Sequence, residues 1–119
     1  MIPLGPATRI FLAVGPTDLR KSFEGLSSLA RNQFQEDPLS GHLFVFANRS
    51  RNRLKVLYWD GSGLWVCAKR LEKGCFCWPR PESIPETGAL RILAEELTLL
   101  LSGIDLEKTR AREWWRRAA

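Results

Sequence analysis

Residues 42–76 carry the pattern that most restricts the fold of this chain, because three apolar and aromatic runs are separated there by two turn sequences. The runs span Leu43–Phe46, Arg53–Trp59 and Leu64–Leu71. The polar segment 47–52 and the tight-turn sequence Asp60–Gly63 separate them. Runs of this length and composition, joined by short polar turns, are typical of neighbouring antiparallel strands. The region therefore predicts a three-stranded antiparallel meander.

The segment before the meander predicts a strand followed by a helix. Arg9–Val14 is a nearly continuous apolar run, which Gly15 and Pro16 end. Thr17 is placed to act as the N-cap of the helix, with Asp18 complementing the helix dipole in the first turn. The apolar residues then recur at helical spacing for about four turns. They are Leu19, Phe23, Leu26, Ala30 and Phe34.

The segment after the meander predicts a second helix. Residues 78–85 hold three prolines and form an extended connector. Thr87 is placed to cap the helix, and Gly103 is placed to end it. Its apolar side consists of Leu90, Leu93, Leu97, Leu100 and Leu101. The whole pattern predicts an α+β fold, in which an antiparallel β-meander of three to five strands packs with two main α-helices. We expect a single domain over residues 1–104, followed by a basic Trp- and Arg-rich tail over residues 105–119.

The chain shows no sign of export or membrane insertion. No apolar run approaches the roughly 20 residues that cross a bilayer, and the N-terminus lacks the basic start of a signal peptide. The odd set of Cys67, Cys75 and Cys77 favours the reduced thiols of a cytoplasm over a disulfide framework. The cysteines also lack the paired spacing of a zinc site, and no glycine-rich phosphate loop is present. We therefore expect a cytoplasmic protein without a metal or cofactor.

The net charge of +5 is unevenly distributed along the chain. Residues 1–81 hold 12 Lys and Arg against 6 Asp and Glu, whereas residues 82–107 hold 1 against 6. Residues 108–119 hold 5 against 1. A basic body with an acidic helical segment indicates contact with a polyanion, with a partner protein, or with both. An uneven but merely solvated surface is the plain alternative.

The strongest candidate site is a cluster of cations in the β-region. The cluster comprises Arg49, Arg51, Arg53, Lys55, Lys69, Arg70 and Lys73. The alternation of Arg51, Arg53 and Lys55 predicts that they share one face of a strand. Trp59 and Trp65 flank the turn between the second and third strands, where they are candidates for base stacking or partner contact. Cations that neutralise phosphates and aromatic rings that stack on bases are what single-stranded or distorted nucleic acid requires. Alternatively, the tryptophans fill the core and the arginines guard a sheet edge.

The tail repeats the combination of cations and aromatic rings. It holds Arg110, Arg112, Arg116 and Arg117 together with Trp114 and Trp115. Adjacent tryptophans on a helix cannot both face one core, so at least one is expected to meet a partner or fold back. A frayed, solvated end is the alternative interpretation.

Enzymatic interpretations have little support in the residues. His42, the one histidine, has no carboxylate or nucleophile pattern around it. Ser62 lies in a hairpin turn, whereas a hydrolase nucleophile needs a strand-to-helix turn. A metal-binding triad of Asp18, Asp60 and Glu72 is the remaining hypothesis, but Asp18 fits a helix start better and Asp60 fits a turn better. We therefore predict no catalytic residues.

Long ordered blocks of this sequence resemble one family. They are Thr17–Leu26, Asp37–Phe46, Arg53–Leu64, Lys69–Gly74 and the pair Trp78-Pro79. The chain is similar, over about residues 8–104, to the TnpB or Orf2-like accessory proteins of insertion-sequence 66 family transposons. The resemblance implies a bacterial mobile-element protein that is encoded beside a separate transposase and another small accessory protein. It also implies a requirement in transposition, with no established catalytic role. Cys75 and Cys77 depart from the polar or basic residues that relatives often carry there, which further weakens a metal site.

Two hypotheses follow for the function. The first is a non-catalytic accessory protein of DNA transposition and recombination that binds nucleic acid and assists the transposase. The second is an adaptor that contacts the transposase without touching DNA, through the acidic leucine-rich segment 87–102 and the tail tryptophans. Oligomeric state and DNA preference stay open.

Overall fold

The structure is a computed structural model and describes residues 5–103. Five strands and two main helices follow one another along this part of the chain. They are β1 Ile10–Ala13, α1 Phe23–Ser28, β2 Leu43–Ala47, β3 Arg53–Trp59, β4 Leu64–Arg70, β5 Ala89–Ile92 and α2 Ala94–Ser102. Helix α1 continues as a short π-helix over Leu29–Gln33.

The strands form one mixed sheet in the order β4-β3-β2-β1-β5. Strands β2, β3 and β4 pair antiparallel, which confirms the predicted meander. Strand β1 pairs parallel to β2, with Ile10 opposite Leu43, so the expectation of a purely antiparallel sheet was wrong. The helical segment between β1 and β2 explains the difference, because a crossover connection through a helix brings the second strand back in the same direction.

Both faces of the sheet are covered. One face packs against α1 and its continuation through Phe11, Phe44, Phe46 and Leu57. The other face packs against α2 and the segment after β4 through Leu12, Val45, Val56 and Phe76, among others. Every residue of β1 and β2 is buried. Their continuous apolar runs therefore reflect burial on both faces, which an alternating strand would not allow.

Helix α1 begins at Phe23, so the prediction of a helix capped by Thr17 was wrong. The Thr17 amide donates instead to the Ala47 carbonyl at 2.7 Å, and Asp18 Oδ1 accepts from the Arg20 amide at 3.0 Å. These bonds hold residues 17–20 in a non-helical loop at the end of the sheet. Phe23 is consequently 48% exposed, although its spacing predicted a core position.

The predicted second helix is divided in two. Residues 89–92 form β5, which pairs antiparallel with β1, with Ala89 opposite Ala13. Only Ala94–Ser102 is helical. The Leu93 amide at its start donates to Glu96 Oε1 at 2.7 Å, so the predicted capping by Thr87 was wrong. Gly103 ends the helix with φ of 72°, as predicted.

No helix in residues 5–103 combines the length and the apolar character needed to cross a membrane.

Candidate nucleic-acid interface

The sheet topology brings the cationic segments to one end of the molecule. Strands β2 and β4 end where β3 begins, because both pair antiparallel with β3. The Leu71 amide donates to the Asn52 carbonyl at 2.8 Å, and the Phe76 amide donates to the Arg51 carbonyl at 2.6 Å. These bonds join the turn before β3 to the segment after β4. We call this region the basic end of the sheet.

A shallow groove of about 370 Å³ lies at the basic end. We call it the basic groove. It is lined by Leu19, Arg53, Leu54, Lys55, Ala68, Lys69 and Arg70. Four of these seven residues are cationic, and none carries a carboxylate. A concave surface with this lining attracts anions.

Arg53 and Arg70 are direct cross-strand neighbours in the β3–β4 ladder. Their side chains therefore leave the same face of the sheet, and two like charges placed opposite each other destabilise a sheet. Arg70 makes an ion pair with Glu72 at 3.1 Å, with both side chains largely exposed. Within residues 5–103, no hydrogen bond or ion pair engages the Arg53 side chain. Solvent screens this exposed ion pair, and it also screens the repulsion between the two arginines.

Two lysines of the groove bind backbone carbonyl groups. Lys55 Nζ donates to the carbonyl oxygens of Leu19 at 2.7 Å and Lys21 at 3.0 Å. Lys69 Nζ donates to the Leu101 carbonyl at 2.6 Å, in the last turn of α2, where a cation complements the helix dipole. Carbonyl partners orient an ammonium group without cancelling its charge. Lys55 therefore fixes the fold and also keeps the groove positive. The Lys69 side chain leaves the opposite face of the sheet from Arg53 and Lys55, because its cross-strand partner is Leu54.

Arg51 has a structural position that the sequence did not predict. It lies in the turn before β3 with φ of 59°, so the prediction that it shares a strand face with Arg53 was wrong. Its Nη2 donates to the Val14 carbonyl at 3.0 Å, and its guanidinium lies 5.1 Å from the centroid of the Trp78 ring. Burial, followed by repulsion from Arg80 and Arg49, lowers its pKa.

Residues 48–52 form a turn that is stabilised by hydrogen bonds of the Asn48 side chain. Asn48 Oδ1 accepts from the amides of Asn52 at 3.2 Å and Arg53 at 3.1 Å. Asn48 Nδ2 donates to Asn52 Oδ1 at 2.8 Å. This support holds Arg49 at an exposed position on the turn. We call residues 48–52 the arginine turn.

Three further cations lie at or near the basic end of the sheet. Lys73 follows β4 and is exposed. Arg80 is exposed and lies close enough to Arg51 to lower its pKa, and the sequence analysis missed it. Lys21 was also missed, although its carbonyl lies beside Lys55 Nζ. Arg80 could have been predicted from its position between Pro79 and Pro81, because these prolines confine the connector to an extended path.

The two predicted stacking tryptophans lie away from these cations. They occupy the end of β3 and the start of β4, six residues from Arg53 and about 20 Å along the strand. Trp59 pairs with Leu64 and Trp65 pairs with Tyr58, so the two rings leave opposite faces of the sheet. Trp65 is 51% exposed, stacks on Tyr58 at 6.2 Å and donates to Asp60 Oδ2 at 2.7 Å. The structure does not bring either ring to the basic groove.

The family model described as IS66 Orf2 like protein matches residues 8–111. The chain belongs to this family. Two relatives are the uncharacterized proteins y4hO and y4jC of Sinorhizobium fredii. The first is 40% identical over 98% of this chain and 96% of the relative. The second is 36% identical over 92% of each chain. No solved structure matches the chain.

The IS66 Orf2-like family is associated with transposition, and the carboxylates of this member do not converge into a catalytic centre. Asp18 pairs with Arg20 at 2.8 Å, and the hydrogen bonds from Arg20 lower its pKa to about 2. Glu72 pairs with Arg70, whereas Asp60 lies in the turn at the opposite end of β4. His42 Nδ1 accepts from the Arg9 amide at 2.9 Å. Within residues 5–103, no group of three or more His, Cys, Asp or Glu side chains is arranged to hold a metal ion.

The remaining predicted residues of this IS66 Orf2-like protein lie in the tail. Arg110, Arg112, Arg116 and Arg117, with Trp114 and Trp115, fall outside the described residues. The division into a domain over 1–104 and a tail over 105–119 stays a prediction. Gly103, the last described residue, lies against Leu71, since a Cβ added there would be 2.9 Å from its side chain.

Proposed function

We propose that this protein is a non-catalytic accessory factor of transposition that binds DNA at the basic end of its sheet. It acts in the bacterial cytoplasm beside a separate transposase and the other small accessory protein of the same element. The observation that carries the proposal is the basic groove, whose lining residues include no carboxylate and in which Arg53, Lys55 and Arg70 leave the same face of the sheet. Arg53 and Arg70 form its centre, and the arginine turn, Lys73 and Arg80 extend the positive surface. The tail arginines are expected to add to it.

A phosphate group bound between Arg53 and Arg70 would offset the repulsion between their guanidinium groups. Arg53 and Arg70 are held opposite each other, where their repulsion costs free energy until an anion lies between them. Guanidinium groups bind phosphate oxygens through directed, charge-assisted hydrogen bonds. Sequence-independent phosphate contacts of this kind supply most of the affinity of non-specific DNA binding. The proposed role is therefore to hold DNA for the transposase, and no step of the chemistry is assigned to this chain.

The test compares two double variants that remove the same charge. Arg53→Ala/Arg70→Ala removes both cross-strand arginines. Arg9→Ala/Arg91→Ala removes two exposed arginines on β5 and before β1, at the other side of the sheet. At low salt, measured by fluorescence polarisation, the first variant should bind labelled DNA about 10- to 100-fold more weakly. The control should stay within about twofold. Equal binding by the groove variant and wild type would contradict the proposal, as would failure of the wild type to bind single-stranded, duplex and branched DNA.

An adaptor role is the second candidate, favoured by exposed apolar side chains on α2. Leu93 is 56% exposed and Leu99 is 45% exposed, beside the exposed carboxylate of Glu95. We propose that this surface, together with Trp114 and Trp115 of the tail, contacts the transposase. Co-purification with the transposase should weaken in Leu93→Ala/Leu99→Ala and in Trp114→Ala/Trp115→Ala. Unchanged co-purification in both variants would remove the adaptor role.

A further inference from the structure

Phe23 is an exposed aromatic residue at a position where the sequence predicted a core residue. It is the first residue of α1 and is 48% exposed, whereas Leu26, Ala30 and Phe34 of the same predicted face are buried. Burying such a ring would stabilise the fold. A single exposed apolar residue is ordinary by itself, so its meaning depends on its surroundings.

Phe23 lies close in the chain to residues that contact the lining of the basic groove. Lys55, which lines the groove, donates to the Lys21 carbonyl at 3.0 Å. Phe23 follows Lys21 by two residues, and two residues of chain span at most about 7 Å. Gly25 allows the Lys21 side chain to lie along the first turn of α1, since a Cβ on Gly25 would be 2.8 Å from Lys21 Cβ. The Phe23 backbone therefore lies near Lys21, whose carbonyl binds a lysine of the groove.

Lys55 also explains why Phe23 is held outside the core. Its two bonds to the carbonyls of Leu19 and Lys21 fix the loop before α1 in a non-helical path. Those carbonyls would otherwise begin the helical ladder of the predicted longer helix. The same lysine therefore contributes charge to the groove and sets the position of the exposed ring.

We infer that the basic groove takes DNA that contains unpaired bases, and that Phe23 stacks on one of them. The inference rests on the proposed function. Cationic grooves with an adjacent aromatic ring are typical of proteins that bind single strands, where stacking adds roughly 1–3 kcal/mol per base. A paired base inside a duplex offers no free face to such a ring. The ligand is therefore a single strand, a frayed end or a branched segment of DNA, with its backbone in the groove and a base on Phe23.

The experiment compares two DNA probes against variants at Phe23. One probe is a labelled oligothymidine, and the other is a covalently closed dumbbell duplex, which has no frayed end. Phe23→Ala should weaken binding of the single strand about 5- to 100-fold while leaving the duplex within about twofold. Phe23→Tyr keeps a stacking ring and should bind the single strand within about threefold of wild type. Trp65→Leu removes an equally exposed ring at the far end of β4 and is the matched control, with no change expected for either probe.

A second readout reports stacking directly. A single strand with 2-aminopurine in place of one base should lose fluorescence on binding wild type, because the base stacks, and should keep it on binding Phe23→Ala. Phe23→Leu, which retains apolar volume but has no ring, should behave like Phe23→Ala.

The results of these binding experiments distinguish the role of Phe23 from the proposed function. Equal weakening of both probes by Phe23→Ala, or no weakening of the single strand, overturns the role of Phe23. In that case the proposed function still stands if Arg53→Ala/Arg70→Ala weakens binding. If the arginine double variant binds both probes as wild type does, the proposed function fails, and the inference fails with it.

Discussion

Arg51 and Arg53 lie two residues apart and have opposite roles. Arg51 is held by the Val14 carbonyl and the Trp78 ring, whereas Arg53 is exposed and opposes Arg70 across the ladder. Their spacing predicts one strand face for both, because alternation along a strand that begins before Arg53 places them on the same side. The turn geometry that separates them depends on Asn48 and its bonds to Asn52 and Arg53.

The first prediction separates the two arginines by stability. Arg51→Ala should lower the free energy of unfolding by about 1–3 kcal/mol, since it removes a hydrogen bond to a carbonyl and a cation–π contact. Arg53→Ala should change it by less than about 0.5 kcal/mol, as expected of an exposed side chain that has no partner among residues 5–103. Urea denaturation followed by circular dichroism measures both. The reverse order of effects would contradict the assigned roles.

The second prediction concerns Asp60 and acid. Hydrogen bonds from the Ser62 amide, the Trp65 indole and the Gly63 amide hold the pKa of Asp60 well below its usual value. A carboxyl whose pKa is lowered by folding stabilises the protein above its unfolded pKa, and loses that effect as the pH falls through its folded pKa. Asp60→Asn should therefore melt at a lower temperature than wild type at pH 7. The difference should persist through pH 4 and shrink only in stronger acid.

Thermal melts of wild type and Asp60→Asn across this pH range provide the check. A difference that has already disappeared near pH 4 would show that the carboxylate is not held in its charged form by the turn. Asp18 is unsuitable as the test residue, because its lowered pKa arises from an exposed pair with Arg20.

Among the strands and helices, local sequence patterns predicted the meander. They did not predict the elements whose structure depends on residues distant in the sequence. Strands β2, β3 and β4 were predicted because each has its own alternation or apolar run and a turn on each side. Residues 89–92 were assigned to a helix because Leu90 and Leu93 also fit helical spacing. They form a strand because β1 leaves an edge free beside them, which no local pattern records. The late start of α1 has a similar cause, since Lys55 of β3 fixes the loop before it.

The third prediction tests the coupling between the arginine turn and the connector after β4. Trp78 Nε1 donates to the Ala13 carbonyl at 2.8 Å, and its ring lies under the Arg51 guanidinium. A double-mutant cycle with Arg51→Ala and Trp78→Leu should give a coupling energy of about 0.5–2 kcal/mol. Additive effects in urea denaturation would show that the two segments are held independently.

At the scale of the whole molecule, the fold collects positive charge at one end of the sheet. The sequence predicted the cationic residues but not their arrangement, because Arg53 and Arg70 become neighbours only through the β3–β4 register. Trp59 and Trp65 are a strand length from the groove, whereas Phe23, predicted to be buried, is 48% exposed. The charge pattern along a sequence indicates a polyanion partner. The strand register and the loop conformations determine which residues form the contact surface.

The salt dependence of DNA binding tests the central claim most directly. We propose that Arg53 and Arg70 each neutralise a phosphate, and each such contact contributes about 0.7 to the slope of log affinity against log salt concentration for a single strand. The slope measured for wild type should therefore be steeper than that of Arg53→Ala/Arg70→Ala by about 1 to 2, and equal to that of Arg9→Ala/Arg91→Ala. Equal slopes for wild type and the groove variant would mean that no phosphate lies in the basic groove, and would contradict the account.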